Sequence, residues 1–260
     1  MYVAEVSFNL ATTDLDEEAN NEIENIIYSL LAAWRNNGQI LESDWSIVRV
    51  ADKCLVQIVI PENHSLNSSN DHKPVTAALE KLKLLGFISL ETKIIGKIFD
   101  LKESCSCTTR NSFILYWPFL SRGSPLRCGN CFLSVPLYQI PPTDNDCYQD
   151  ILFWQAEYEA CDTLNILSSV LEKASVREIS RFDSNLSKKG RGVCQTIENL
   201  AGKPTYYYLD RDNGRSRNKE LARKCPECGG EWLLVESWHN RFDFRCEKSK
   251  LVSNIAWDVR

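Results

Sequence analysis

Histidine is scarce in this chain: 260 residues contain only His64, His72 and His239, and a single methionine opens the sequence. A histidine-based nucleophile pair or a histidine-rich catalytic metal site therefore has almost nothing to be built from. There is no phosphate-cradling P-loop and no glycine fingerprint for a dinucleotide, which leaves nucleotide-driven chemistry without its usual backbone. No apolar run approaches the length needed to cross a bilayer. The opening Met1-Tyr-Val-Ala-Glu-Val-Ser-Phe lacks a basic stretch followed by an apolar one. We therefore expect a soluble, cytoplasmic protein with no membrane partner. Positive charge is also in short supply, with 30 Lys and Arg against 35 Asp and Glu and a formal net charge of -5. A molecule of that sign repels a phosphate backbone as a whole.

The deficit is uneven. Residues 1–100 carry 8 basic against 15 acidic side chains, residues 101–176 carry 5 against 8, and residues 177–260 carry 17 against 12. An acidic first stretch is thus joined to a mildly basic tail, and the two ends invite different partners.

Cysteine, in contrast, is abundant, with 11 residues. In a reducing compartment closely spaced cysteines hold metal more often than they form disulfides. Cys128-Gly-Asn-Cys131 has the two-residue spacing of a zinc knuckle, a tight turn that aims two thiolates at one ion. Cys105-Ser-Cys107 lies one expected strand upstream, so the two pairs can converge on one Zn²⁺ as a closed Cys₄ set. The competing reading is small buried apolar residues or a redox pair.

A second knuckle, Cys225-Pro-Glu-Cys228, is followed by Cys246. The residue three beyond it, where a second knuckle would place its other thiolate, is Ser249. His239 in the intervening loop is the candidate fourth ligand for a second zinc. The alternative is an exposed loop histidine and a ribbon that holds its shape without metal. Cys54, Cys147, Cys161 and Cys194 stand alone and are expected in the core.

The apolar periodicity places Ala19, Ile23, Ile26, Ile27, Leu30, Leu31 and Trp34 on one helical face after a strand at 2–9. Two β-rich runs, Trp45–Val50 and Cys54–Ile60, form a hairpin. A helix from Pro74 to a stop at Leu85-Gly86 precedes a strand from Phe87 to Phe99. The order β-α-β-β-α-β is that of a ferredoxin-like domain over 1–100. Its central strand, Cys54–Ile60, lacks the aromatic residues of an RNA-reading sheet.

A Cys₄ zinc-clasped α+β region is expected over 101–204. It would hold a helix within 147–168, with β-structure at Ile151–Trp154 as the alternative, and a helix from an Asp183 cap to Leu200. A zinc-ribbon-like module over 205–260 completes an α+β chain.

Four segments carry a family likeness: Ser124–Phe132 with Val135-Pro-Leu-Tyr138, Gly202–Leu209, Cys225–Trp232 and Leu251–Trp257. They resemble the bacterial family of zinc-ribbon-containing proteins of unknown function to which a nucleic-acid-binding role is attributed. The resemblance implies zinc at Cys225, Cys228 and Cys246, and Ser249 departs from its pattern.

For function we expect a non-catalytic zinc-binding protein with a protein partner. In its narrowest form it is an immunity protein that inhibits a basic nuclease toxin by presenting carboxylates where phosphates would sit. The alternative is a nucleic-acid-binding protein using Lys188, Lys189, Arg191, Arg215 and Arg217, with Tyr206, Tyr207 and Tyr208 as stacking surface.

Overall fold

A computed structural model describes residues 1–10, 16–84, 87–99 and 101–260 of a mixed α/β chain with two sheets, divided into two compact units. The first unit comprises residues 1–104, 122–124 and 136–149, and the second comprises 105–121, 125–135 and 150–260. The expected helix stop at Leu85-Gly86 lies outside the described residues.

The first unit runs β1 (Tyr2–Leu10), α1 (Glu17–Asn36), β2 (Val48–Val50), β3 (Lys53–Ile60), α2 (Lys73–Leu84) and β4 (Phe87–Lys97). Its sheet is antiparallel, in the order β2-β3-β1-β4. Strand alternation sends Ala4, Val6, Phe8 and Leu10 to one face with Cys54, Val56, Ile58 and Ile60. Onto that face α1 lays Ile26, Ile27, Leu30, Leu31 and Trp34, and α2 adds Val75 and Leu82. Burying the five α1 side chains contributes on the order of 10 kcal/mol as an upper bound. The helix starts where Asp16 accepts from the Ala19 amide at 2.8 Å, with Glu17 and Glu18 favourably placed in its first turn.

Residues 136–149 belong to this unit through polar contacts rather than a strand or knuckle. The Tyr138 hydroxyl donates to Glu62 Oε2 at 2.6 Å, and the Tyr148 amide donates to the Asn36 carbonyl at 2.9 Å. Gly38, at φ +70°, is held so close to Leu137 that a Cβ there would meet its Cβ at 2.6 Å.

The second unit contains β5 (Phe113–Leu115), β6 (Leu126–Cys128), all but the first residue of α3 (Gln149–Leu167), α4 (Glu172–Ser180), α5 (Asn185–Ala201), β7 (Thr205–Leu209), α6 (Arg217–Leu221), β8 (Leu233–Trp238), β9 (Phe242–Cys246) and β10 (Leu251–Ser253). Its sheet has the order β6-β5-β7-β10-β9-β8. Strands β5, β7 and β10 run parallel, and β6 and β9 are antiparallel to their neighbours. Residues on both sides of 204/205 contribute strands to this one sheet.

Strand β7 is buried along its whole length, as a central parallel strand covered on both faces must be. Tyr206 and Tyr208 join Tyr116 and Phe242 on one face. Tyr207 packs on the other against Trp154 of α3 and Gly190 of α5, where a Cβ would lie 2.2 Å from the tyrosine ring. The three tyrosines are core, not an exposed stacking platform.

Helix α5 is capped by Ser184, whose hydroxyl accepts from the Ser187 amide at 3.1 Å. The expected cap, Asp183, instead receives two hydrogen bonds from Arg181. Gly202 at φ +63° ends the helix as expected.

Candidate metal centres

The first cysteine group lies in the second unit at the edge of its sheet. Cys128 is the last residue of β6, paired with Phe113 of β5, and the chain turns immediately so that the Phe132 amide reaches back to the Cys128 carbonyl at 2.8 Å. The Asn130 amide donates to Cys128 Sγ at 3.4 Å, the amide-to-sulfur contact that steadies a knuckle. Gly129 is required because a Cβ there would fall 2.0 Å from Ser112 Oγ. On the facing loop the Cys107 amide donates to Cys105 Sγ at 3.4 Å, and the Cys105 amide is anchored to the Ser134 carbonyl at 2.8 Å.

The sulfurs of Cys105, Cys107, Cys128 and Cys131 all lie within 4.8 Å of one another, with Cys105 and Cys128 buried. Four thiols gathered this closely can hold one metal ion.

The electrostatics of the bare thiols favour a cation at their centre. Burial pushes Cys105 up, but Arg110, whose Nε donates to its sulfur at 3.3 Å, and the Cys107 amide outweigh it and bring the thiol to about 7. Cys131 is pushed up to about 12, by burial first and then by its cysteine neighbours. A divalent cation at the centre would favour the thiolate form of both Cys105 and Cys131. Sequence reasoning missed Arg110, because nothing in its spacing marks it as a sulfur partner.

The second group sits where β9 ends. Cys225 and Cys228 occupy a turn in which Gly229, at φ +69°, donates to the Cys225 carbonyl at 2.9 Å. Cys246 closes β9, and its sulfur is 3.6 Å from that of Cys228. The three thiols again lie within 4.8 Å of one another. Ser249 occupies the fourth corner: its hydroxyl is 3.4 Å from Cys225 Sγ, and its amide donates to Cys246 Sγ at 3.4 Å. The Gly230 amide, Ser249 and the neighbouring sulfurs hold the half-buried Cys228 thiol down at about 7.

His239 is not part of this group. It and Asn240 take positive φ in the β8–β9 turn, and its ring stacks with Phe132 and Trp238 while Nε2 donates to the Gly129 carbonyl at 2.9 Å. The hairpin turn thus carries the imidazole to the first knuckle's backbone and away from Cys225, Cys228 and Cys246. Among the described residues no other His, Cys, Asp or Glu completes the second group.

The remaining sequence candidates separate in the same plain way. Cys54 and Cys194 are buried, and Cys147 and Cys161 are half-buried. Of the basic residues, Lys189 pairs with Glu157 at 2.5 Å, and Arg191 lies 3.7 Å from Glu227 and over the Phe182 ring. Lys188, Arg215 and Arg217 are exposed.

Comparison with known proteins bears on the whole chain. Residues 1–96 match a domain of unknown function (DUF8589), 107–210 a domain of unknown function (DUF2310), and 214–259 a domain of unknown function (DUF8594). An "Uncharacterized protein" of Haemophilus influenzae is 33% identical over 262 residues, covering 99% of this chain and 99% of its own. Another "Uncharacterized protein" of the same organism is 38% identical over 166 residues, covering 64% of this chain and 82% of its own. None of these descriptions names a zinc ribbon or nucleic acid, so of the resemblance drawn from the sequence only the metal-compatible cysteine groups stand.

Proposed function

This chain belongs to the same family as the Haemophilus influenzae protein that matches it over 99% of both lengths, and on that premise we propose that it is a non-catalytic zinc protein that docks a protein partner. Zinc is supported by the donor set: a compact array of four thiolates suits a tetrahedral, redox-silent ion and leaves no position open to substrate. The metal then acts as a staple, tying the loop at Cys105–Cys107 to the edge strand β6.

The strand order β2-β3-β1-β4 with α1 and α2 on one face supports a ferredoxin-like reading of the first unit. The Cys225 turn facing Cys246 and Ser249 supports a ribbon-like end to the second.

The observation that carries the docking proposal is the outer face of α1. Asp16, Glu17, Glu18, Glu22 and Glu24 are all exposed there, and together they offer a basic protein a concentrated negative surface. In its narrowest form the partner is a nuclease toxin whose phosphate-binding residues this face covers. Two features weigh against nucleic acid as the partner: Tyr206, Tyr207 and Tyr208 are core, and Lys189 and Arg191 are paired with carboxylates.

The test is co-purification of the full-length protein from its native host, alongside a Glu17→Lys, Glu18→Lys, Glu22→Lys variant. The proposal expects a basic protein captured by the wild type and lost by the variant. Equal capture by both would overturn it, as would salt-dependent binding of DNA or RNA with no protein captured.

A further inference from the structure

Arg127 is the central residue of β6, the edge strand of the second unit's sheet, where it stands opposite Ile114 of β5. Strand alternation sends its side chain to the face opposite Leu126 and Cys128, the same face as Ile114, Tyr116, Tyr206 and Tyr208. The residue as a whole is half-buried, but its Nε is closed to solvent and has no hydrogen-bond partner. Among the described residues only Tyr116 and Arg241 act on its charge, and neither a carboxylate nor a cysteine does. We propose that Arg127, together with Arg241, forms a binding site for the oxyanion group, a phosphate or a carboxylate, of a small ligand.

A comparison within the unit shows how uneven this is. Four arginines have an enclosed Nε without a hydrogen bond: Arg127, Arg191, Arg223 and Arg245. Three of them nonetheless sit in ion pairs, Arg191 with Glu227 at 3.7 Å, Arg223 with Glu220 at 3.1 Å and Arg245 with Glu247 at 2.6 Å. Arg127 alone has no acidic counterpart. An enclosed charge without a partner costs free energy, and a guanidinium cannot relieve that cost by shedding its proton as a lysine can. An anion from outside the chain would supply the missing partner.

Arg241 adds a second guanidinium beside the same ring. It donates to the Tyr116 hydroxyl at 2.5 Å and lies 5.3 Å from the Tyr116 ring and 6.0 Å from that of Phe132. That bond uses a single N–H of its fork and leaves the others to serve a ligand. The carboxylates that act on Tyr116 are Asp210 and Asp162, and neither acts on Arg127. Burial, reinforced by Asp210, raises the Asp162 carboxyl to about 6, which makes it a poorer counter-charge than a surface carboxylate.

The donors select the ligand. A guanidinium presents parallel N–H groups that match the paired oxygens of a carboxylate or phosphate. The rings of Tyr116 and Phe132, 5.2 Å apart, lower the local dielectric and strengthen such a pair. A recessed guanidinium also suits one inserted group better than a polyanion, which is held along a groove of exposed cations. The site is independent of the acidic face of α1.

Inorganic phosphate is the probe, with sodium acetate as the second probe and sodium chloride as the comparison at matched ionic strength. Titration calorimetry on the full-length protein would measure binding, and the NMR signal of the Arg127 Nε–H, assigned by its loss in Arg127→Lys, would report it at the residue. We expect saturable binding of about millimolar affinity that moves this signal. Arg127→Met should weaken it by more than about 10-fold, the loss of a charged partner, whereas Lys173→Met, a change at an exposed lysine of α4, should leave it unaltered. Methionine replaces an unpaired charge with an apolar chain, so without phosphate Arg127→Met should unfold no earlier than the wild type; a purely structural arginine would give the opposite result. Tighter phosphate than acetate assigns a phosphate group, and the reverse order a carboxylate. Absence of saturable binding of either anion up to about 10 mM would overturn the proposal. So would binding unchanged by Arg127→Met, a response matched by chloride, or an Arg127 Nε–H signal that stays still as the wild type saturates, a readout that holds even if the methionine variant folds poorly.

Discussion

Replacing Ser249 with cysteine should turn the second cysteine group into a four-thiolate site. The hydroxyl already lies 3.4 Å from Cys225 Sγ, its own amide supports Cys246 Sγ at 3.4 Å, and Cys228 and Cys246 are 3.6 Å apart. The substitution exchanges one atom for a larger one in a position the backbone has already aimed, so no rearrangement is needed. A ligand bound only by the folded state stabilises it by about 2.7 kcal/mol when present at 100 times its dissociation constant. For a unit of this size each kcal/mol moves the unfolding midpoint by about 2–4 °C, which gives a rise of about 5–11 °C. Elemental analysis and thermal unfolding, run across a chelator series, would measure both effects. S249C should retain zinc at a chelator concentration that strips this site in the wild type, with the higher midpoint tracking the retained metal. Equal zinc retention and equal midpoints in the two proteins would refute the placement of Ser249 at a ligand corner.

Other perturbations probe different parts of the structure. Cys128→Ser removes a buried ligand of the first centre; structural zinc contributes about 10–16 kcal/mol in small domains, as much as a whole domain's stability, so calorimetry should show the second unit's transition lost while the first unit still unfolds cooperatively. Gly190→Ala drives a methyl to 2.2 Å from the Tyr207 ring and 2.5 Å from Trp154 Nε1, and urea unfolding should show a loss of about 3 kcal/mol, the upper range for overpacking. Asp162→Asn tests the raised carboxyl. A folded-state value near 6, above the unfolded one, gives stability that is fully present below about pH 4 and lost as pH rises through about 6. The variant should therefore gain on the wild type between pH 4 and pH 7, and parallel stability curves across that window would contradict the assignment.

Much of the first unit was legible because its information is local. The three-and-four spacing from Ile23 to Trp34 and the alternation along β1 and β3 each state a face, and the element order follows. The cysteine groups were legible for a similar reason, since knuckle spacing is a statement about one tight turn. The rest depends on distant residues. His239 lies in the loop where a fourth ligand was sought, but positive φ at His239 and Asn240 turns the ring toward Gly129, 110 positions earlier in the chain. The return of residues 136–149 to the first unit rests on single polar contacts such as Tyr138 to Glu62, which leave no periodic trace. Helix α4 went unread because it buries only Ser175 and Ile179 and starts from Leu171 in a left-handed conformation without a side-chain cap. Asp162 and Asp210 are 48 positions apart and meet only because α3 packs beside the end of β7.

The central claim is that Cys105, Cys107, Cys128 and Cys131 grip a single zinc ion that holds the second unit together. Elemental analysis of protein purified without chelator, beside a Cys105→Ser, Cys128→Ser double variant, tests it most directly. The account predicts at least one tightly held zinc per wild-type chain, with the double variant short by one equivalent and lower in unfolding temperature. A wild type that holds no zinc, or that holds iron in its place, or that matches the variant in metal content and unfolding temperature, would contradict it.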